Sequence, residues 1–120
     1  MSQSESIYHP VSREVAAQRR SLAPKASEAF SAFNRAVFAE GALPVKTKQL
    51  IAVAVAHVTQ CPYCITGHTK QAVQAGATAE EIMEAVWVAA EMRAGGAYAH
   101  AAIALETVAQ VQREAQGDTA

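Results

Sequence analysis

Apolar residues along this chain recur at helical spacing in clusters, separated by short runs of glycine, proline and hydroxyl residues. After Pro24 the positions Ala26, Phe30, Phe33 and Val37 mark one helix face, and Gly41 followed by Pro44 supplies a stop. The segment from Lys46 to Thr59 is ambiguous, because Ile51, Val53 and Val55 alternate with alanine as a strand would. Its length, its alanine content and the lack of a second convincing strand predict a helix. Another helix is expected from Cys61-Pro62 to about Ala75, with proline in the first turn and Gly76 as the residue that ends it. Thr78 and Glu81 match a capping box and open a helix over about Ala79 to Met92. Gly95-Gly96 is expected to break or kink the chain there, before a last stripe of Tyr98, Ala101, Ala102, Leu105, Val108 and Ala109.

These elements predict an all-α bundle of about five to six helices. The expected layout is an N-terminal arm or short helix over 1–20, a helical domain over 21–112 and a polar tail over 113–120. Alanine dominates the apolar faces and buries little area per side chain. Several stripes on short helices exceed what one small core needs, which favours a homo-oligomer; a compact monomer with an alanine-rich core is the other reading.

Composition narrows the function classes. At 120 residues, 51% hydrophobic and 18% charged, the chain is too apolar to be disordered and is one domain's worth. A net charge of -1 and the lack of a basic block argue against nucleic acid as a partner. No apolar run reaches the roughly 20 residues that span a bilayer, and the first residues lack a signal-peptide layout, so no membrane partner and a cytoplasmic location are expected. In that reducing compartment a C-x-x-C pair points to redox catalysis or metal binding rather than a permanent staple.

The chemistry gathers in Cys61-Pro62-Tyr63-Cys64-Ile65-Thr66-Gly67-His68. Helical spacing puts Cys64 and His68 on one face. With Cys61 as N-cap, Cys64 falls near unsatisfied backbone N–H groups that favour a thiolate, and His68 can move its proton. A thiolate can cleave the O–O bond of a hydroperoxide, and a second thiol can condense with the resulting sulfenic acid. Catalytic roles are therefore assigned to Cys64, Cys61 and His68, fitting a two-cysteine peroxidase or a disulfide reductase. Spacing also permits zinc, held by Cys61, Cys64 and His68 with His57 or His100; the assignment made is no metal and no cofactor. Covalent haem is excluded, because Ile65 stands where C-x-x-C-H needs histidine. His57 can tune the thiols or be a satisfied core histidine, Tyr63 can line a substrate channel, and His100 reads first as structural.

Three stretches together are distinctive: Leu43-Pro44-x-Lys46-Thr47-Lys48, then Ala54-x-Ala56-His57-x-Thr59-x-Cys61-Pro62-Tyr63-Cys64-x-x-x-His68-Thr69, then Ala75-Gly76-Ala77-Thr78-x-Glu80-Glu81-Ile82. Over roughly Leu43 to Glu106 the chain resembles the alkylhydroperoxidase D-like (carboxymuconolactone decarboxylase-like) family. The resemblance implies an all-α fold assembled as homo-trimers or homo-hexamers, with Cys64 attacking peroxide, Cys61 resolving and His68 in the proton relay. It also implies an organic hydroperoxide or hydrogen peroxide as substrate, and a dithiol reductant such as a lipoylated or thioredoxin-like protein. Peroxidase members usually carry a glutamate twelve residues before the first cysteine, where this chain has Gln49. An amide can orient a partner but cannot accept a proton as a carboxylate does. Glu91, Glu81 or His100 are candidates to replace it in space. A non-catalytic oligomeric redox sensor or binding protein is the alternative; a zinc-stabilised module and a lactone decarboxylase are weaker ones.

Overall fold

In a computed structural model describing residues 6–117, every regular element is an α-helix: α1 (Arg13–Leu22), α2 (Pro24–Phe38), α3 (Val45–Thr59), α4 (Pro62–Gln74), α5 (Ala79–Ala99) and α6 (Ala101–Ala115). The short helix expected in the N-terminal segment is α1, which Ser12 opens by accepting the Val15 N–H at 3.1 Å. Residues 1–5 and 118–120 of the predicted arm and tail lie outside the described residues. The ambiguous alternating segment is helical throughout as α3.

Helix α4 ends as its sequence predicts. Gly76 adopts φ 96°, the Ala77 N–H reaches Ala72 O at 2.9 Å and the Gly76 N–H reaches Val73 O at 3.0 Å, which closes the last carbonyls of the helix. At the start of α5 both halves of the capping box form: Glu81 N–H donates to Thr78 Oγ1 at 3.1 Å, and Thr78 N–H to Glu81 Oε1 at 2.9 Å.

Two boundaries differ from expectation. Gly95-Gly96 does not break the helix, and α5 runs through both to Ala99. Both glycines keep ordinary helical dihedrals, so the penalty is only about 1 kcal/mol each, which a long packed helix absorbs. The chain turns instead at His100, whose N–H and ring Nδ1 both meet Gly96 O, at 3.2 and 2.6 Å. At the other end α6 continues to Ala115, past the boundary placed at residue 112, because Gln112 to Ala115 are adequate helix formers with no breaker before Gly117.

The core is small and built around α3, which α4 flanks on one side and α5 on the other. Val53 and Ala72 are fully buried and Ala77 nearly so, with Leu50, Ile82 and Val86 packed around them. Lys46 ties α3 to α5 through Glu81 at 2.9 Å. The α1–α2 pair and α6 extend away from this centre, giving a radius of gyration of 21.6 Å where a compact chain of this length has about 14 Å. No helix among the described residues is long and apolar enough to cross a membrane.

Replacing Thr78 by alanine is expected to lower stability by about 1 kcal/mol, read from urea unfolding. Glu81 is held below the usual carboxylate range by the Lys46 ammonium first and the Thr78 N–H second. Its contribution is therefore full above the unfolded carboxyl pKa and disappears as pH falls through the lower folded value. A Glu81→Gln variant should be less stable than the wild type at neutral pH and equal to it in strong acid.

Candidate functional site

The site begins at the elbow between α3 and α4. Gln60 ends α3 in the left-handed conformation at φ 57°, ψ 47°, a geometry that costs a non-glycine residue on the order of 1 kcal/mol. That turn brings the Cys61 N–H back to Ala56 O at 3.1 Å and leaves Cys61 extended as the N-cap of α4, with Pro62 in the first turn. The cysteine sulfur takes the place a serine or aspartate oxygen usually fills: Cys61 Sγ accepts the Cys64 N–H at 3.3 Å. The Cys61 and Cys64 sulfurs lie 2.6 Å apart in hydrogen-bond contact, and both cysteines are free thiols.

This geometry shifts the two thiols in opposite directions. The Cys64 thiol, then the Cys64 and Tyr63 backbone groups, draw the Cys61 pKa below the ordinary thiol value. Cys64 is pushed up, first by its hydrogen bond with Cys61 and next by burial and the charge of Cys61. Of the two thiols, Cys61 is thus the one whose ionisation the local groups favour. The sequence reading favours a thiolate at Cys64 through its N3 position. The difference arises because the N-cap sulfur, rather than the N3 sulfur, intercepts the free N–H at the helix start.

One turn after Cys64, His68 is held by two groups. Its Nδ1–H donates to Gln49 Oε1 at 2.8 Å, and Gln49 Nε2–H in turn donates to Gln71 Oε1 at 3.0 Å. The Phe38 ring stacks on the imidazole with centroids 5.1 Å apart and planes 28° from parallel. Gln49 is only 2% exposed, yet both its amide atoms are bonded, so a buried polar group on α3 is fully used in orienting a histidine on α4. Bonding at Nδ1 leaves Nε2 free as the acceptor. His68 and Cys64 both line a cavity of about 410 Å³, whose walls are mostly apolar: Phe38, Ile51, Val55 and Ala56 among them. A space of that size suits a small organic molecule.

The structure therefore assembles Cys61, Cys64, His68 and Gln49. It does not bring the remaining candidates to them. His57 bonds Val53 O at 2.8 Å and faces a separate hollow beside Val86, Ala89 and Arg93 of α5. His100 bonds its own helix at the α5–α6 junction, and Glu91 lies exposed along α5 against Gly95. Glu81 is engaged by Lys46 and Thr78, so no carboxylate stands in for the missing glutamate at His68. Among the described residues no three of His, Cys, Asp and Glu converge as metal ligands, and the four-ligand set allowed by spacing is not gathered. Tyr63 is half-exposed and meets Tyr8. Sequence reasoning missed Gln71 and Phe38. Gln71 follows His68 by three residues, a spacing that places both on one helix face and offered a signal; Phe38 arrives from another helix and offered none.

Comparison with known proteins agrees with this architecture. Residues 24–107 match the model of the carboxymuconolactone decarboxylase family. A Paracoccus denitrificans protein described as uncharacterized protein 4 in the cox locus is 66% identical over 84 residues, 70% of this chain and 76% of its own length. A solved structure from Methanobacterium thermoautotrophicum superposes with TM-score 0.66 at 38% identity, covering 69% of this chain and 93% of that one. A carboxymuconolactone decarboxylase family protein from Legionella pneumophila gives TM-score 0.63 at 41% identity, covering 76% and 81%.

Because its folded pKa is lowered, Cys61 should be alkylated by iodoacetamide at pH values below those an ordinary thiol requires, with Cys64 reacting only at higher pH. A Cys64→Ala variant loses the largest cause of that shift. Its Cys61 alkylation profile, followed by mass spectrometry across pH, should move upward toward the ordinary thiol range.

Proposed function

From the premise that the chain belongs to the carboxymuconolactone decarboxylase family, we propose that it is a thiol-dependent hydroperoxide reductase of the alkylhydroperoxidase D-like kind. The observation that carries this reading is the presence, on one apolar cavity, of the Cys64 thiol and of a histidine whose free Nε2 can take its proton.

The steps follow from the arrangement of the two thiols and His68. His68 Nε2 removes the Cys64 proton as Cys64 sulfur attacks the terminal oxygen of a hydroperoxide; the O–O bond breaks, Cys64 becomes a sulfenic acid, and His68 returns the proton to the leaving alkoxide. Cys61, whose ionisation the helix start favours, then attacks the Cys64 sulfur as a thiolate. Hydroxide leaves and is protonated by solvent, and a Cys61–Cys64 disulfide forms, as the 2.6 Å separation of the sulfurs permits. An external dithiol, such as a lipoylated or thioredoxin-like protein, returns both thiols while being oxidised to its own disulfide. Dependence on a dithiol reductant supports a reducing, cytoplasmic setting for this reaction.

Gln49 sets the limit on rate in this scheme. When His68 is protonated it faces an amide oxygen instead of a carboxylate, so the imidazolium is less stabilised than in relatives with glutamate there. That neutral partner also favours the second reading, a redox sensor that closes its disulfide without sustained turnover.

The working form is proposed to be a homo-trimer or homo-hexamer. The chain exposes 9396 Å², against about 6,200 Å² for a folded monomer of its mass, and the excess includes Phe30 and Phe33 on α2 and Ile103 and Leu105 on α6, each about two-thirds exposed.

Hydroperoxide consumption with a dithiol donor tests the reading. Wild type should turn over, Cys64→Ser should lose all activity, and Gln49→Glu should gain about tenfold or more, within the range general acid–base groups supply. Stoichiometric peroxide consumption without turnover in both wild type and Gln49→Glu would favour the sensor. No peroxide consumption in any variant would exclude both.

A further inference from the structure

The family match begins at residue 24, and the segment before α1 lies outside it. That segment nevertheless reaches the redox motif. Tyr8 packs edge-on against Tyr63, with ring centroids 5.9 Å apart and planes at 69°, the favourable arrangement for two aromatic quadrupoles. Tyr63 sits between Pro62 and Cys64, inside the C-x-x-C turn. The approach is shaped locally: the Tyr8 N–H donates to Ser6 Oγ at 3.1 Å and Ser6 Oγ–H donates to Tyr8 O at 3.4 Å, folding the backbone tightly just before the ring. His9-Pro10 then leads to Ser12, which anchors the far end of the segment as the N-cap of α1.

The two thiols also differ in where they open. Cys64 lines the apolar cavity with His68, whereas Cys61 is not part of that lining and caps the N-terminus of α4. Tyr8 is not among the residues that line the cavity. The Tyr8–Tyr63 pair instead stands on the first turn of α4, two residues along the chain from the Cys61 that a thiol donor would attack.

We infer that Tyr8 is a specificity-determining residue for the reductant of Cys61, its segment clasping the outer face of the motif through Tyr63 so that small thiols pass and a protein dithiol must first displace it. The inference rests on the disulfide chemistry proposed above but not on peroxide turnover. In the reductive half-reaction one donor thiolate attacks Cys61 Sγ of the Cys61–Cys64 disulfide and Cys64 leaves as thiolate. The second donor thiol attacks the mixed disulfide and releases Cys61, leaving the donor as its disulfide and both cysteines reduced. Only the first attack has to come past the clasp. An aromatic pair of this kind is weak enough to open thermally, so it slows a bulky donor without sealing the site.

The test uses full-length protein oxidised to the disulfide with diamide, and follows thiol recovery under two donors: dithiothreitol and a reduced thioredoxin. Tyr8→Ala should accelerate recovery by thioredoxin about two- to tenfold, the factor that an aromatic pair of ordinary strength corresponds to, and leave recovery by dithiothreitol unchanged. Tyr8→Phe keeps the ring and should behave as wild type with both donors. The inference is overturned if Tyr8→Ala changes both rates equally, changes neither, or slows the thioredoxin reaction, the last meaning that the tyrosines form a docking platform. Failure of diamide to close the Cys61–Cys64 disulfide would overturn the inference together with the disulfide chemistry on which it rests. Retained disulfide closure with no peroxide turnover would overturn only the peroxidase reading.

Discussion

Everything chemical in this molecule depends on one two-residue elbow. Gln60 in the left-handed conformation ends α3, and Cys61 in extended conformation begins α4. The turn is tight because the Cys61 N–H is still spent on α3, at Ala56 O, while the Cys61 carbonyl already accepts the Ile65 N–H of α4 at 2.9 Å. With no slack between them, the two helices pack side by side, and Gln49 on one falls opposite His68 on the other. The same elbow aims the Cys61 sulfur at the start of α4. A helix start needs an acceptor, and a sulfur supplied there carries negative charge more readily than a sulfur elsewhere. Fold and reactivity are thus set by the same few backbone groups.

The second constraint is the neutral amide under His68. A buried polar side chain must satisfy its hydrogen-bonding groups, and Gln49 does so by bridging His68 and Gln71. This orders the imidazole and selects Nδ1 as the bonded nitrogen, leaving Nε2 for the cavity. An amide oxygen orients the imidazole as a carboxylate would, but carries no charge. The site is preorganised, then, around a neutral partner.

A third constraint is the smallness of the core. Val53 and Ala72 are buried because α3, α4 and α5 approach closely through alanines, but these side chains remove little apolar surface from water. The larger apolar residues, Phe30, Phe33, Ile103, Leu105 and Tyr98, sit on α2, α5 and α6 and stay exposed in the single chain. Pattern reading had already found too many stripes for one core. The shape explains the surplus, since α1–α2 and α6 extend away from the centre rather than folding over it.

The sequence by itself determined the helices and the candidate groups for chemistry. Local signals of fixed range carried these: Pro62 and Gly76 bracketing α4, the Thr78–Glu81 capping box, the cysteine spacing, and His68 one turn beyond Cys64. It misplaced the end of α5, because the cost of two glycines is local while the packing that outweighs it is not. Tertiary structure alone decided that Gln49 meets His68 across 19 residues, that Phe38 covers the imidazole, that Glu81, Glu91, His57 and His100 lie elsewhere, and that Tyr8 reaches Tyr63. It also decided that the helix-start N–H favours ionisation of Cys61 over Cys64. Periodicity and spacing report which residues share a face of one helix; what stands opposite that face, and which sulfur the free N–H selects, is fixed only when the chain turns and the helices dock.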